Sequence, residues 1–347
     1  MLVDKFTMFF ASAEINYRAI KDTPTKNWLV SFYYLKGKSH QDIEDFLYDA
    51  KYGLKRLGIN EERTLFLDSG AFSFQNAAGF IKGRSNQDKS GLSTNDLLIY
   101  AHEFFDFIRV YGHWFDIIAE IDVDYIIGIH KTKYLRELLW RTHDEVLRKN
   151  ILSVWHIPRG EKRWIEHLQD RDYVCIEGHS RHQDDPISFY NQFLAPAHDK
   201  GVKVHGFAFT HLGILERVPF DSVDSASWML QAANGTVKTP WGTVAISANQ
   251  LQAELGNLLH WNTLQGRDKR IIESYIRSCG FTPQQLIEHW LPRAALNCHY
   301  YMWLEDRINK IWSKEALTQK VYQKSLFDLV GQKYKSTDPD EILEFNK

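Results

Sequence analysis

Two aspartates stand where apolar runs break into small-residue turns: Asp68 in LDSGAF (Leu67 to Phe72) and Asp224 in VDSASW (Val223 to Trp228). Other runs also close on polar residues: Asp122 and Asp124 in IDVD, His156 in VWHIPRG, Glu177 and His179 in CIEGHS, and Asp221 just ahead of Asp224. Two separated carboxyl groups are what nucleophilic and general acid–base chemistry requires. One stays ionised to attack, while the other carries a proton to a leaving group and takes one back. Imidazoles on neighbouring strands offer a different chemistry, a divalent metal site, for which His156, His179, His205 and Asp224 are the candidate set. Any one of these residues has an ordinary use, since an aspartate before Ser-Gly stabilises a turn and a lone histidine satisfies a buried backbone group. Their recurrence at the ends of apolar runs is the signal.

Eight such runs must position them: FTMFFAS, WLVSFYYL, RTLFLDSG, FDIIAEID, ILSVWHIP, YVCIEGH, VKVHGFAF and FDSVDSAS. Between them lie helix-like stretches at 39–57, 94–111, 133–149, 162–169 and 186–200, with Ser39 and Thr94 placed to cap two of them. Runs apolar on both faces suit a parallel sheet covered by helices. Their regular alternation with helices predicts a (β/α)8 TIM barrel over residues 1–247. In such a barrel chemistry gathers where strands finish, which is where the polar residues fall. Asp221 and Asp224, three apart, point to opposite faces of a regular strand, so only one can face the barrel mouth.

From about Ser247 the pattern predicts helices alone, at 249–259, 269–278 and 284–311, making residues 248–347 a helical extension packed on the barrel. NGTVKTPWGTVAIS, just before it, reads as a β-hairpin.

LDSGAF and VDSASW, in that order and on those strands, resemble the two aspartate motifs of the tRNA-guanine transglycosylase superfamily, most of all its DNA 7-deazaguanine transglycosylases of bacteria and phages. The resemblance spans the second run to the eighth and fades beyond. It implies a (β/α)8 enzyme that exchanges guanine in a polynucleotide for a 7-deazaguanine base such as preQ0, with Asp224 as nucleophile and Asp68 as general acid/base. It places Asp122 or Asp124 on the guanine edge, Asp122 preferred, and Glu177 and Gly178 over the base. His156 stands where the family usually has glutamine. Ser69 and Gly70 would offer backbone amides, and Phe72 an aromatic wall. The family's cysteine-rich zinc site has no counterpart among Cys175, Cys279 and Cys298, and its appended RNA-binding module is not recognisable; both departures favour DNA over tRNA.

Lysine and arginine number 42 against 44 aspartate and glutamate, so no global basic field advertises a polyanion, and any nucleic acid must meet local patches. Arg159, Lys162 and Arg163, with Arg267, Lys269 and Arg270, are the candidate phosphate contacts. Three dispersed cysteines and the lack of long apolar runs fit a cytoplasmic protein, which the resemblance places in a bacterium or a phage-infected cell, with no membrane partner, metal or cofactor expected. The rival readings are a tRNA-guanine transglycosylase, a metal-dependent barrel hydrolase built on the histidines, and a non-catalytic nucleic-acid-binding barrel.

Overall fold

A computed structural model of the chain describes residues 5–71, 73–74, 94–121, 123, 127–143, 150–155, 161–169, 171–177, 185–248 and 258–313. All eight apolar runs form strands: β1 (Thr7–Ala11), β2 (Asn27–Ser31), β3 (Thr64–Asp68), β4 (Ile117–Ala119), β5 (Ile151–Trp155), β6 (Tyr173–Glu177), β7 (Lys203–Phe207) and β8 (Ser222–Ser225). They pair in parallel in sequence order, and β1 closes on β8 with Phe9 opposite Asp224, so the predicted (β/α)8 TIM barrel is the fold. The helices that follow them include α1 (His40–Tyr52), α2 (Thr94–Tyr111), α3 (Ile129–Thr142), α4 (Glu161–His167), α5 (Pro186–Asp199) and α6 (Ser227–Ala233). Ser39 caps α1 by accepting the Asp42 amide at 3.1 Å.

Strand alternation divides the core in two. One set of side chains, including Met8, Trp28, Val30, Leu65, Leu67, Val204 and Val223, packs outward against the helices. The alternate set, Phe9, Leu29, Phe66, Leu152, Val154 and Cys175, fills the lumen. Asp68 follows Phe66 by two and therefore stands on the lumen face. The second half of WLVSFYYL departs from expectation: β2 stops at Ser31 and Phe32–Leu35 is a helical turn. Phe32 there packs against Tyr100, Phe104 and Phe107 of α2 with ring centroids 5.2–5.3 Å apart. A continuous apolar run looks the same whether strand or helix buries it.

Arg63 fixes the lower end of β3. Its guanidinium is buried, lies 4.2 Å from the Trp28 ring centre, and donates to the carbonyls of Thr25, Ala50, Lys21 and Thr23 at 2.8–3.3 Å. Desolvation there lowers its pKa to about 10, which leaves the charge in place at neutral pH.

The C-terminal region is not helices alone. The hairpin forms as β9 (Thr236–Thr239) and β10 (Gly242–Ala245), and β10 also pairs in parallel with a short β11 (Leu259–His260), where a helix is expected up to Leu259. Residues 249–257 lie outside the described residues. The β10–β11 pairing spans the expected boundary at 247, and Val237, Val244, Ile246, Trp261, Leu264 and Ile272 share one small core with the helices that follow. Those are α7 (Gly266–Ser278), α8 (Pro283–Glu288) and α9 (Trp290–Trp312). Thr282 and Gln285 form a capping box on α8.

Buried polar side chains tie α9 to the barrel. Asn309 exchanges two hydrogen bonds with the Phe6 backbone, and Arg293 donates to the Ala232 carbonyl at 2.9 Å. Asn297, fully buried, accepts from the Lys238 amide at 2.7 Å and donates to Trp228 O at 2.9 Å. Asn297→Leu keeps the branched outline but cannot hydrogen-bond, and so strands these backbone groups in the core. We expect a loss of about 2–4 kcal/mol in urea unfolding; a loss under about 0.5 kcal/mol would show that water takes Asn297's place.

Candidate active site

Asp224 stands on the lumen face of β8. Its side chain is 9% exposed, and two donors converge on the same oxygen: the His205 ring nitrogen Nε2 at 3.2 Å and the Ala208 amide at 2.8 Å from Oδ1. Oδ2 has no hydrogen-bond partner among the described residues and is not among the fully buried orphan atoms. Among the described residues the carboxylate is thus held through one oxygen and open at the other. Ala208, just past β7, has a positive φ of 52°. That conformation is strained for a side-chain-bearing residue and here turns its N–H toward Asp224.

His205 continues the network. Its Nδ1 lies 2.6 Å from Ser222 Oγ, which also meets the Tyr173 hydroxyl. With His205 neutral, these contacts are satisfied in one sense only: Tyr173 donates to Ser222, Ser222 to Nδ1, and Nε2–H to Asp224. Burial raises the Tyr173 pKa, which keeps the phenol a donor. The His205 ring packs edge-on against Phe66, Phe9 and Phe207 at centroid distances of 5.0, 5.9 and 4.9 Å. Phe66 is also the lumen residue below Asp68, so His205 links the wall carrying one aspartate to the carboxylate of the other. Sequence reasoning considered His205 only as a metal ligand and passed over Ser222 and Tyr173.

The rest of VDSASW is structural. Ser225 Oγ accepts the Ser227 amide at 2.9 Å at the start of α6, and the buried Trp228 donates to the Ala11 carbonyl at 2.9 Å. Asp221 faces away from the lumen, as the alternation requires. It accepts the Val204 amide at 2.7 Å and meets His198 of α5 at 2.9 Å.

Around Asp68 the backbone groups are engaged within the turn itself. The Gly70 amide, expected to meet a ligand, donates to Asp68 Oδ2 at 3.0 Å, and Ser69 is buried, its carbonyl accepting the Tyr100 hydroxyl at 2.6 Å. Gly70 is required for another reason. It has φ of 69°, and a Cβ there would come within 2.8 Å of Tyr33 and of Ser31 Oγ. Its missing side chain lets the turn after β3 close on the end of β2. Tyr100, raised in pKa by burial and by the charge of Asp68, underpins that turn and stacks on Phe74 at 4.2 Å.

Glu14, in the turn after β1, was missed because ASAEINY carries no turn signature at the end of its strand. It is 7% exposed, and neither carboxyl oxygen has a partner of normal hydrogen-bond geometry among the described residues; the same holds for Ser31 Oγ. Burial pushes its pKa up to about 8. The nearby amides of Glu14 and Ser31 offset part of that, Asp68 adds to it, and Lys38 opposes it weakly. A protonated carboxyl therefore sits close to Asp68 at neutral pH.

Of the other expected site residues, Phe72, Asp122, Asp124, His156 and Gly178 lie outside the described residues, as does Arg159. Glu177 ends β6, and Lys162 and Arg163 lie in α4, with side chains outside the description. Arg267 and Arg270 line one cavity on the C-terminal region, whereas Lys269 lies over the Trp261 ring, 4.9 Å from its centre. Among the described residues no three histidine, cysteine, aspartate or glutamate side chains gather as a metal site. No described helix is long and apolar enough to cross a membrane.

Glu14 makes stability depend on pH in a defined sense. Its folded pKa, about 8, exceeds the ordinary 4.5 of the unfolded chain. Stability is therefore fully present below pH 4.5 and falls as pH rises through about 8, at roughly 1.4 kcal/mol per pKa unit at most. Glu14→Gln removes that dependence. Urea midpoints of variant and wild type should converge near pH 5 and separate by pH 8.5, the variant being the more stable. Parallel curves would mean that Glu14 is ionised when folded.

No protein-family model matches the chain, and no curated protein matches it. Among solved structures, a protein of Coccidioides immitis assigned as a fructose-1,6-biphosphate aldolase superposes over 88% of this chain and 92% of its own. The TM-score is 0.43 and the sequence identity 11%.

Proposed function

We propose that the protein is a base-exchange transglycosylase that replaces guanine in a polynucleotide, DNA in preference to tRNA, with a 7-deazaguanine base. The observation that carries this reading is the state of Asp224: a lumen carboxylate fixed through Oδ1 by His205 and Ala208, with no partner on Oδ2 among the described residues, on the same lumen face as Asp68. A nucleophile must be held without being consumed by its own hydrogen bonds, and a carboxylate with one tethered oxygen meets that condition.

The reaction then runs in two balanced displacements. Asp224 Oδ2 attacks the anomeric carbon, the glycosidic C–N bond breaks, and its electron pair leaves on the purine nitrogen, which takes a proton from the Asp68 carboxyl. The incoming 7-deazaguanine gives its ring N–H proton back to Asp68. Its nitrogen attacks the same carbon and expels Asp224, regenerating both groups. Glu14, kept neutral beside Asp68, adds no second negative charge while Asp68 is ionised between the two steps. Guanine recognition by Asp122 or Asp124, and base contacts from Glu177, Gly178 and His156, rest on the family resemblance. A base within a duplex must first be flipped out, at a cost of a few kcal/mol, so single-stranded DNA should be the better substrate.

The test is incorporation of labelled guanine, and then of preQ0, into DNA and separately into unmodified tRNA. We expect incorporation into DNA, reduced about a thousandfold or more by Asp224→Ala and by Asp68→Asn. Incorporation only into tRNA would overturn the polymer, and none into either would overturn the reaction.

A further inference from the structure

A second region outside the barrel has the chemistry of a ligand site. A cavity of about 430 Å³ opens where the β9–β10 turn overhangs α7, lined by Trp241, Arg267, Arg270, Ser274 and Tyr275 among others. Its size lies within the range of small-molecule and nucleotide pockets. The α7 residues that line it fall at helical spacings of three, four and seven, so they form one stripe along the helix.

Two features separate this stripe from an ordinary solvated face. Neither Arg267 nor Arg270 has an ion-pair or hydrogen-bond partner among the described residues. On the same helix Arg277 is neutralised by Glu273 at 2.6 Å, and Lys269 is spent on Trp261. The indole of Trp241 stands over the stripe, with its ring centre 6.1 Å from that of Tyr275 and nearly perpendicular to it. Two guanidiniums without a partner among the described residues, beside an indole face, are an arrangement that a bound anion carrying a planar group would complete.

We infer that this cavity holds a stretch of single-stranded nucleic acid, with Arg267 and Arg270 on successive phosphates and Trp241 stacked on a base. Side chains three apart on a helix have Cβ atoms about 5–6 Å apart, close to the interval between neighbouring phosphates of one strand. An indole offers a face to any base and so binds without regard to sequence. An acidic peptide would satisfy the guanidiniums but leave Trp241 without a planar partner. Asp268, the acidic residue of the first turn of α7, does not line the cavity.

The inference rests on the polynucleotide reading above but is tested apart from its chemistry, by anisotropy of a labelled 12-nucleotide single strand on the full-length Asp224→Ala protein. Adding Arg267→Ala and Arg270→Ala together should weaken binding about tenfold or more and make the slope of log affinity against log salt shallower by about 1.4, roughly 0.7 for each of two phosphates. Trp241→Ala should weaken binding about fivefold or more with the salt slope unchanged, and Arg277→Ala should leave it as it was. Affinities equal to that of Arg277→Ala would overturn the inference, as would equal competition by polyglutamate of matched charge. If base exchange fails in wild type while these losses appear, the enzyme reading falls and the binding site stands. If exchange proceeds and the losses do not appear, the site falls alone. The thermal midpoints of these surface variants, measured alongside, should match that of the parent.

Discussion

The hydrogen bond from His205 to Asp224 is the contact around which the barrel interior is arranged. An eight-stranded barrel must fill its lumen with side chains, and here the filling is aromatic: Phe9, Phe66 and Phe207 enclose the imidazole on three sides. An imidazole so enclosed has one polar exit at each nitrogen. Ser222 takes one, through Tyr173, and Asp224 takes the other. Stability and reactivity therefore meet in one residue, because the ring that packs the lumen also sets the orientation of the carboxylate above it.

The outer parts of the fold serve that arrangement. Trp228, four residues past Asp224, reaches back to the β1 carbonyl at Ala11 and holds the β8–α6 turn against the strand that closes the barrel. Asn297 of α9 then grips the Trp228 carbonyl from outside. On the opposite side Arg63 braces the lower end of β3, and Tyr100 with Gly70 fixes the turn at its upper end. Asp68 thus stands on a strand pinned at both ends, and Asp224 on one whose following turn is locked to β1. Fixed geometry of that kind is what lets two carboxyl groups work on one bond.

Much of this was legible in the sequence, for physical reasons that can be named. The strands announced themselves because a parallel sheet covered on both faces is apolar throughout, and the period of two placed Asp221 and Asp224 on opposite sides without any coordinates. The parts not legible depend on closure. His205 lies 17 residues from Ser222 and 19 from Asp224, and nothing local marks the three as partners until β7 and β8 pair. Gly70 reads as a loop glycine suited to a ligand, while its real neighbours belong to the end of β2. Leu259 and His260 are too few to show a period, and only pairing with β10 makes them a strand. Glu14 looks like an ordinary acidic turn residue, because burial is a property of the folded chain and leaves no trace in composition.

The most direct measurement is of the covalent intermediate. Asp68→Asn protein is incubated with a guanine-containing oligonucleotide in which the departing base is activated so that it needs no proton, then denatured and mapped by peptide mass. The account predicts an oligonucleotide adduct on the peptide carrying Asp224, absent from the Asp224→Ala, Asp68→Asn double variant. Turnover of that substrate with no adduct at any time point, or an adduct on another residue, would contradict it.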